Sequence, residues 1–140
     1  GTRPGGPDPT LAKWGKSGGR LITWPGGGDD LRKLPGRIEV QAAGRVWALP
    51  RVKRTGPSGP VLMVHLLNRS YDAATDGMNP EFRLRVRLRP AELGGPATVR
   101  RVRYHRPGAG SREVDFRQGA DGWLQFDVPE LEIWGIAEIE

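Results

Sequence analysis

The sequence contains no cysteine and only two histidines among its 140 residues. The absence of cysteine excludes disulfide bonds, cysteine zinc ligands and thiol nucleophiles. No stretch approaches the roughly 18 apolar residues that a membrane-spanning helix requires, so a membrane is not an expected partner. Lysine is also scarce, because only four of the 22 basic residues are lysine and the rest are arginine. These absences leave a chain whose chemistry depends on arginine, carboxylates and aromatic rings.

The chain is basic, with a formal net charge of +6 at pH 7. A net positive charge is compatible with a nucleic acid, an anionic polysaccharide or a membrane surface as binding partner. The acidic residues are interspersed among the basic ones, however, and arginine in place of lysine can reflect genome composition alone. The charge therefore does not by itself select a partner.

The clearest pattern lies at residues 81–89, where apolar residues and arginines alternate strictly. A period of two predicts a β-strand with one face in the core and the other in solvent. Such a strand is typical of an antiparallel sheet with one face exposed to solvent. The apolar residues, expected to face the core, are Phe82, Leu84, Val86 and Leu88, and the outward residues are Arg83, Arg85, Arg87 and Arg89.

Further strands are separated by turn-forming residues, since the chain has 21 glycines and 13 prolines between its apolar runs. Eight or nine short strands at this spacing predict an all-β fold, an antiparallel β-sandwich, with a barrel as the alternative. The one long connection is 69–80, and long loops are often functional. The predicted strands are 37–42, 45–53, 60–68, 81–89, 98–105, 112–117, 122–128 and 130–139.

The N-terminal part of the chain has a different pattern. Residues 1–10 are rich in glycine and proline and are predicted to be an irregular arm or linker. Residues 11–36 are predicted to be a separate segment, with a short helix near Trp14 and a strand at 20–24. The β-sandwich is expected over 37–140.

We do not expect the chain to be an enzyme. His65 lies inside an apolar strand, and His105 lies beside Arg106 at the end of another. Neither has a serine, a cysteine or a paired carboxylate at a spacing used in catalysis. The C-terminal glutamates alternate along a strand, and nothing marks one of them as a proton donor. The sequence therefore offers no catalytic residues.

The loop at 68–79 is a candidate for a structural Ca²⁺ ion, because it offers several hard oxygen ligands. The favoured alternative is an Asx-rich turn whose side chains bind their own backbone amides. Zinc is disfavoured, because only two histidines, far apart in the sequence, are available as ligands. The candidate Ca²⁺ ligands are Asn68, Asp72, Asp76 and Asn79.

Tryptophan is over-represented, with five tryptophans against two tyrosines and three phenylalanines. Alternation along 122–128 places Trp123 on the wetter face of its strand, beside an amide and a carboxylate. An exposed tryptophan can stack on a sugar ring while polar neighbours bind its hydroxyls. For each tryptophan the alternative is an ordinary core position. The candidate carbohydrate-binding residues are Trp123, Gln125, Asp127, Trp47 and Trp134.

The arginine row at 83–89 offers a different site, for an anionic glycan or a nucleic acid. We expect the row to continue on a neighbouring strand through Arg101 and Arg103. Cross-strand carboxylates favour a charge-paired, solvated face instead, and nucleic acid is disfavoured because this face lacks aromatic residues. The expected carboxylate partners are Glu113, Asp115, Glu132 and Glu138.

Two segments carry a family resemblance: Pro60–Asn68 followed by Tyr71–Asp72, and Trp123–Ile139. Together they resemble the C-terminal β-sandwich domains that follow the catalytic barrel in several bacterial glycoside hydrolase families. Residues 11–24 look like the last helix and strand of an amidotransferase-like α/β domain, which precedes the sandwich in some of these enzymes. The resemblance implies an accessory module that lacks the barrel and its two catalytic carboxylates.

Three functions remain open for such a module. The first is non-catalytic binding of a plant or microbial polysaccharide, β-glucan-like, by tryptophan stacking, which would target a linked glycoside hydrolase. The second is a purely structural domain that contacts the catalytic domain of its parent enzyme. The third is an anion or nucleic-acid binder that uses the arginine row. The resemblance also implies a secreted or extracellular location, and some modules of this kind hold a structural Ca²⁺ ion.

Overall fold

The computed structural model describes residues 38–42, 44–54 and 58–140. The predicted arm at 1–10 and the predicted segment at 11–36 lie outside the described residues. Within the described residues the chain consists of strands and one short 3-10 helix, Pro90–Leu93, with no α-helix. No helix long and apolar enough to cross a membrane occurs among them.

The described strands pair in an antiparallel manner and form two main sheets. In chain order they are β1 (Glu39–Gln41), β2 (Val46–Arg54), β3 (Pro60–Asn68), β4 (Tyr71–Asp72), β5 (Gly77–Met78), β6 (Glu81–Leu88), β7 (Val102–Arg106), β8 (Gly110–Glu113), β9 (Phe116–Gln118), β10 (Leu124–Leu131) and β11 (Trp134–Ile139). One sheet has four strands in the order β1-β6-β10-β9, and the other has five in the order β2-β3-β11-β7-β8. The predicted all-β sandwich is therefore confirmed.

The core lies between the inner faces of the two sheets. In β3 every second side chain points inward, which buries Leu62, Val64 and Leu66 completely. In β6 the same alternation buries the apolar residues from Leu84 onward. Each large aliphatic side chain removed from water contributes about 1.5–3 kcal/mol. Further core residues are Val86, Leu88, Val102, Tyr104, Leu124, Phe126, Val128, Leu131, Ala137 and Ile139.

The alternation in β6 changes phase at Arg83. Phe82 is 62% exposed and Glu81 only 5%, so the prediction that Phe82 faces the core is wrong. Arg83 has a φ of 56°, in the left-handed region that residues other than glycine rarely adopt. It lies opposite Pro129 of β10, and the burial pattern of β10 shifts at the same level. The two paired strands therefore turn together, which sends Phe82 outward and Glu81 inward, while Arg83 stays on the outer face.

Several predicted strand boundaries differ from the structure, and the differences at 112–117 and at Pro129 change how the strands are arranged. The predicted strand 112–117 is two strands, because β8 belongs to the five-stranded sheet and β9 to the four-stranded sheet. Buried Val114 lies at the crossing, and its amide donates to the Val102 carbonyl at 3.0 Å. Pro129 was expected to separate two strands, but β10 continues through it to Leu131. The predicted long loop at 69–80 contains the small β4–β5 hairpin.

Candidate functional site

A row of apolar side chains crosses the outer face of the five-stranded sheet. Trp47 of β2, Leu67 of β3 and Trp134 of β11 stand directly opposite one another in the strand register. Neighbouring strands lie about 4.8 Å apart, so the two tryptophan backbones are separated by about 10 Å. Trp47 is 52% exposed and Trp134 is 43% exposed. The structure therefore brings two of the predicted sugar-stacking residues onto one open surface.

A second row extends this surface by one step along the strands. It consists of Leu49, His65 and Ile136, again in direct register. Leu49 is 43% exposed, and the other two are half-buried. A shallow cavity of about 240 Å³ lies between the rows, with Arg51 and His65 as its polar lining residues. An apolar floor with a few polar groups is the usual composition of a ligand site.

Arg69 fixes the orientation of the Trp47 ring. Its guanidinium carbon lies 3.8 Å from the ring centroid, which is a cation–π contact. A cation at this distance covers one face of the indole, and the ring as a whole stays half-exposed. Trp47 is thus held in place on the surface with part of its ring open to solvent.

Trp123, Gln125 and Asp127 lie on the four-stranded sheet, on the opposite side of the sandwich from Trp47. The ring of Trp123 is contacted by two guanidinium groups, those of Arg87 and Arg89, at 4.9 and 4.8 Å from its centroid. Gln125 stands opposite Arg87 in the register of β6 and β10. The predicted carbohydrate-binding residues therefore divide between two separate faces, and arginines already contact the Trp123 ring.

The arginine row of β6 is paired with carboxylates along most of its length. Asp127 accepts hydrogen bonds from two nitrogens of Arg85, at 3.0 and 3.4 Å. These pairs confirm the charge-paired interpretation of the row, although the partners differ from the expected ones. The ion pairs of this face are Arg85–Asp127 at 3.0 Å, Arg87–Glu39 at 3.2 Å and Arg89–Glu92 at 2.9 Å.

The expected continuation of the row through Arg101 and Arg103 is wrong. Arg103 belongs to β7 of the five-stranded sheet, and Arg101 lies directly before that strand. There they form a network with β11. Arg103 donates to Glu138 and, at 2.8 Å, to Glu140, while Arg101 donates to Glu140 at 2.5 Å. Hydrogen bonding with Glu138 and with Arg101 lowers the pKa of Glu140 to about 2. This network ties the two strands together on the outer face. Glu113 also lies 3.9 Å from Arg101.

Asn68 has a buried amide that bonds only to the backbone. Its Nδ2 donates to the carbonyls of Asn79 at 2.7 Å and Glu132 at 2.8 Å, with a longer contact to Leu131 at 3.4 Å. Its Oδ1 accepts from the Ser70 amide at 2.8 Å. The predicted ligands Asn68 and Asn79 thus contribute to a link between chain segments.

The two carboxylates of the loop are also engaged within the chain. Asp72 accepts from the Ala74 amide at 2.9 Å and from the Thr75 hydroxyl at 3.1 Å, which is the geometry of an Asx turn. Asp76 accepts from the Tyr71 hydroxyl at 2.5 Å. In the described part of the chain, no group of three or more His, Cys, Asp and Glu residues is placed to hold a metal ion. The backbone contact of Asp72 fits the Asx-turn interpretation of the loop, whereas Asp76 binds a side chain.

Sequence reasoning missed the residues that join the tryptophans into one surface. The alternation of 45–53 correctly places Trp47 and Leu49 on the same face of their strand. Leu67 and His65 lie between β2 and β11 only because β3 pairs with both, and that pairing has no signal in the local sequence. The surface is therefore a product of the sheet order.

No protein-family model matches the sequence, and no curated protein matches it significantly. Solved structures that are similar include the cycloisomaltooligosaccharide glucanotransferase of Paenibacillus sp., in complex with cycloisomaltoheptaose, with 18% identity and a TM-score of 0.49 over 71% of this chain and 16% of that one. Another is α-L-fucosidase isoenzyme 2 of Paenibacillus thiaminolyticus, with 20% identity and a TM-score of 0.48 over 74% of this chain and 15% of that one. The chain thus spans less than a fifth of the length of either protein.

Proposed function

We propose that the domain is a non-catalytic carbohydrate-binding module that holds a neutral polysaccharide on the outer face of its five-stranded sheet. One observation carries the proposal: Trp47 and Trp134 stand in one row, on either side of Leu67, with about half of each side chain exposed. Two large aromatic side chains on one exposed sheet face mark an interaction surface. Their separation of about 10 Å suits an extended chain of sugar rings lying across the strands.

Stacking would supply most of the affinity in this arrangement. The apolar face of a sugar ring would lie against each indole, and Leu67 would fill the space between them. His65 and Arg51 line the adjacent cavity and are the nearest groups for hydroxyl contacts. Because stacking on an apolar surface involves no ion pair, binding should be almost insensitive to salt. A neutral, β-glucan-like chain fits this chemistry best.

Trp123 serves as the natural comparison for the two platform residues. It lies directly before β10 of the other sheet, and it is less exposed than Trp47 and Trp134. We therefore assign the platform to Trp47 and Trp134, and leave Trp123, Gln125 and Asp127 outside it.

Native affinity electrophoresis against β-glucan, xyloglucan, xylan and mannan tests the proposal. One neutral glycan should retard the wild-type domain, and Trp47→Ala and Trp134→Ala should each weaken its binding at least about tenfold, which corresponds to 1.4 kcal/mol. Trp123→Ala should bind like the wild type. Circular dichroism should show that all three variants are folded. Retardation that survives both platform changes, or that is lost only with Trp123, would contradict the assignment.

A structural role in a larger enzyme is the second candidate, and the same surface supports it. An exposed apolar sheet face that includes Leu49 and Trp134 is also suited to contact with another domain. On this reading the partner is the catalytic domain of a parent glycoside hydrolase, and no neutral glycan retards the domain. For either function we propose a secreted protein.

A further inference from the structure

Three exposed arginines surround a groove on the other side of the sandwich and lack the ion pairs of their neighbours. The groove has a volume of about 670 Å³ and runs beside β10, between the start of β6 and the β8–β9 crossing. Arg83, Arg112 and Arg117 line it, and none of them forms a hydrogen bond or ion pair with a side chain among the described residues. By contrast, Arg85, which also lines the groove, is bound to Asp127. The lining as a whole holds four arginines and three carboxylates, so its formal charge is +1.

The backbone at Arg83 gives a second, independent indication. Its φ of 56° is unfavourable for a residue with a side chain, and such positions persist where the surrounding structure imposes them, often at ligand sites. The turn of the strand sends Glu81 inward and Phe82 outward, while Arg83 stays on the outer face, where it lines the groove. A regular continuation of β6 would have placed Glu81 on this outer face as well.

The rest of the lining narrows the chemical class of the ligand. Glu113, Asp115, Asp127 and Gln125 lie in the groove beside the arginines. These carboxylates can accept hydrogen bonds from sugar hydroxyls, which a polyphosphate chain does not offer. Two aromatic rings line the groove: Phe116 is half-buried and packs against the core, and Phe126 is buried, so no open ring is present for base stacking among these residues. The mixture suits a molecule that carries both carboxylates and hydroxyls.

We propose that this groove binds an acidic polysaccharide built from uronic acids. The uronate carboxylates would pair with Arg83, Arg112 and Arg117, since guanidinium groups bind carboxylates in a bidentate manner. Asp115 and Gln125 would accept or donate hydrogen bonds to the ring hydroxyls. The site spans β6 and β10 of the four-stranded sheet and the edge strand β8 of the other sheet. It shares no residue with the tryptophan platform and does not depend on the function proposed for that platform.

Isothermal titration calorimetry of the full chain with oligogalacturonate at low salt tests the proposal. Arg112→Gln and Arg117→Gln should each weaken binding about tenfold, because each removes a charge-assisted hydrogen bond. Arg83→Gly should do the same, and glycine accepts the left-handed backbone at this position. Arg100→Gln is the matched control, since it removes one positive charge from an exposed site outside the groove. The affinity of that variant for oligogalacturonate should stay within about twofold of the wild-type value.

Three outcomes would overturn the proposal. The first is the absence of oligogalacturonate binding at low salt. The second is an equal loss with Arg100→Gln, which would show that only the net charge matters. The third is tighter binding of single-stranded DNA or polyphosphate than of oligogalacturonate, which would assign the groove to another class of ligand. Trp47→Ala and Trp134→Ala should leave uronate binding unchanged, so failure of this site and failure of the platform can be told apart.

Discussion

Asn68 is the last residue of β3, and its side chain joins three segments that are distant in the sequence. It donates to the carbonyls of Asn79 and Glu132 and accepts from the amide of Ser70, while only 6% of the residue is exposed. One amide thus satisfies several polar groups whose burial without a partner would be costly.

We expect Asn68→Ala to lower the free energy of unfolding by about 3 kcal/mol, because it leaves several buried polar groups unpaired. Urea denaturation measures the change. Asn79→Ala is the control, since Asn79 contributes its backbone carbonyl and its side chain is exposed. The control should change stability by less than about 0.5 kcal/mol. Equal effects of the two substitutions would mean that the Asn68 amide is replaceable by water.

Tyr104 is a second residue with a buried polar group. Only 1% of it is exposed, and its hydroxyl donates to the Glu130 carbonyl at 2.8 Å. The ring packs over Gly135, where a β-carbon would approach the hydroxyl oxygen to 2.4 Å. Burial raises the pKa of Tyr104 to about 12, since the phenolate would lose its hydration. The fold therefore favours the neutral phenol.

This raised pKa predicts a loss of stability in alkali. The pKa is about 10 in the unfolded chain and about 12 in the folded one, so the contribution of Tyr104 is complete below pH 10 and falls as the pH rises towards 12. Denaturation curves from pH 8 to pH 11 should show the fall in wild type and in Tyr71→Phe, whose tyrosine is exposed. Tyr104→Phe should be less stable at pH 8 by about 1 kcal/mol and should show a smaller fall. If the stability of Tyr104→Phe fell with pH as steeply as that of the wild type, Tyr104 would not be the cause of the alkaline loss.

At the scale of elements, the pairing of β7 with β11 depends on charges as well as on backbone hydrogen bonds. Arg103 stands opposite Glu138 in the register and also binds Glu140. The pKa of Glu140 is lowered to about 2 by hydrogen bonding with Glu138 and with Arg101. These neighbours hold the Glu140 side chain in its charged form on the outer face of the two strands.

The lowered pKa predicts sensitivity to acid. A carboxylate with a depressed pKa contributes fully above its ordinary value of about 4.5, and the contribution is lost as the pH falls towards 2. We expect Glu140→Gln to be less stable than wild type at pH 6 and to approach it near pH 2. Chemical denaturation at several pH values measures the difference, which should also shrink in high salt because the group is partly exposed. A constant difference across this range would exclude titration of Glu140 as its cause.

The strands differ in how well the sequence predicts them. The bounds of β3 are those predicted, 60–68, because a dense apolar run ends at turn residues on both sides. The split between β8 and β9 was missed because 112–117 alternates like one strand, and only long-range pairing assigns its two halves to different sheets. The phase change at Arg83 was missed for a related reason. It depends on the shared turn with Pro129 of a strand more than 40 residues away in the sequence.

The candidate site was predicted in part. Alternation placed Trp123 on the wetter face of its strand and Trp47 on the same face as Leu49, but it left Trp47 and Trp134 as possible core residues. It could not show that Trp47 and Trp134 share a surface while Trp123 lies elsewhere, because sheet membership is decided by strand order. The resemblance to glycoside hydrolase sandwich domains, and polysaccharide binding itself, remain predictions.

At the scale of the whole molecule, the sandwich separates two surfaces of different chemistry. The outer face of the five-stranded sheet carries the tryptophan platform on β2 and β11, and the arginine groove lies along the four-stranded sheet and the edge strand β8. The core between them is fully buried over most of its length. The two proposed sites share no side chain.

We therefore expect the two ligands to bind independently and at the same time. Titration with a neutral glycan should give the same affinity, within about twofold, in the absence and presence of saturating oligogalacturonate, since distant sites without shared residues are additive. Combined substitutions on the two faces should likewise have additive effects. Competition between the two ligands would instead show that they share one surface.

The position of β11 has a consequence for biosynthesis. This strand is the last described one in chain order, yet it lies at the centre of its sheet, between β3 and β7. As the chain leaves the ribosome, the edges of β3 and β7 that face each other in the sheet have no partner until residues 134–139 emerge. Unpaired strand edges are prone to association with other chains. Nascent chains of this domain should therefore require either rapid completion or chaperone protection, and a stall before residue 134 should leave them open to aggregation.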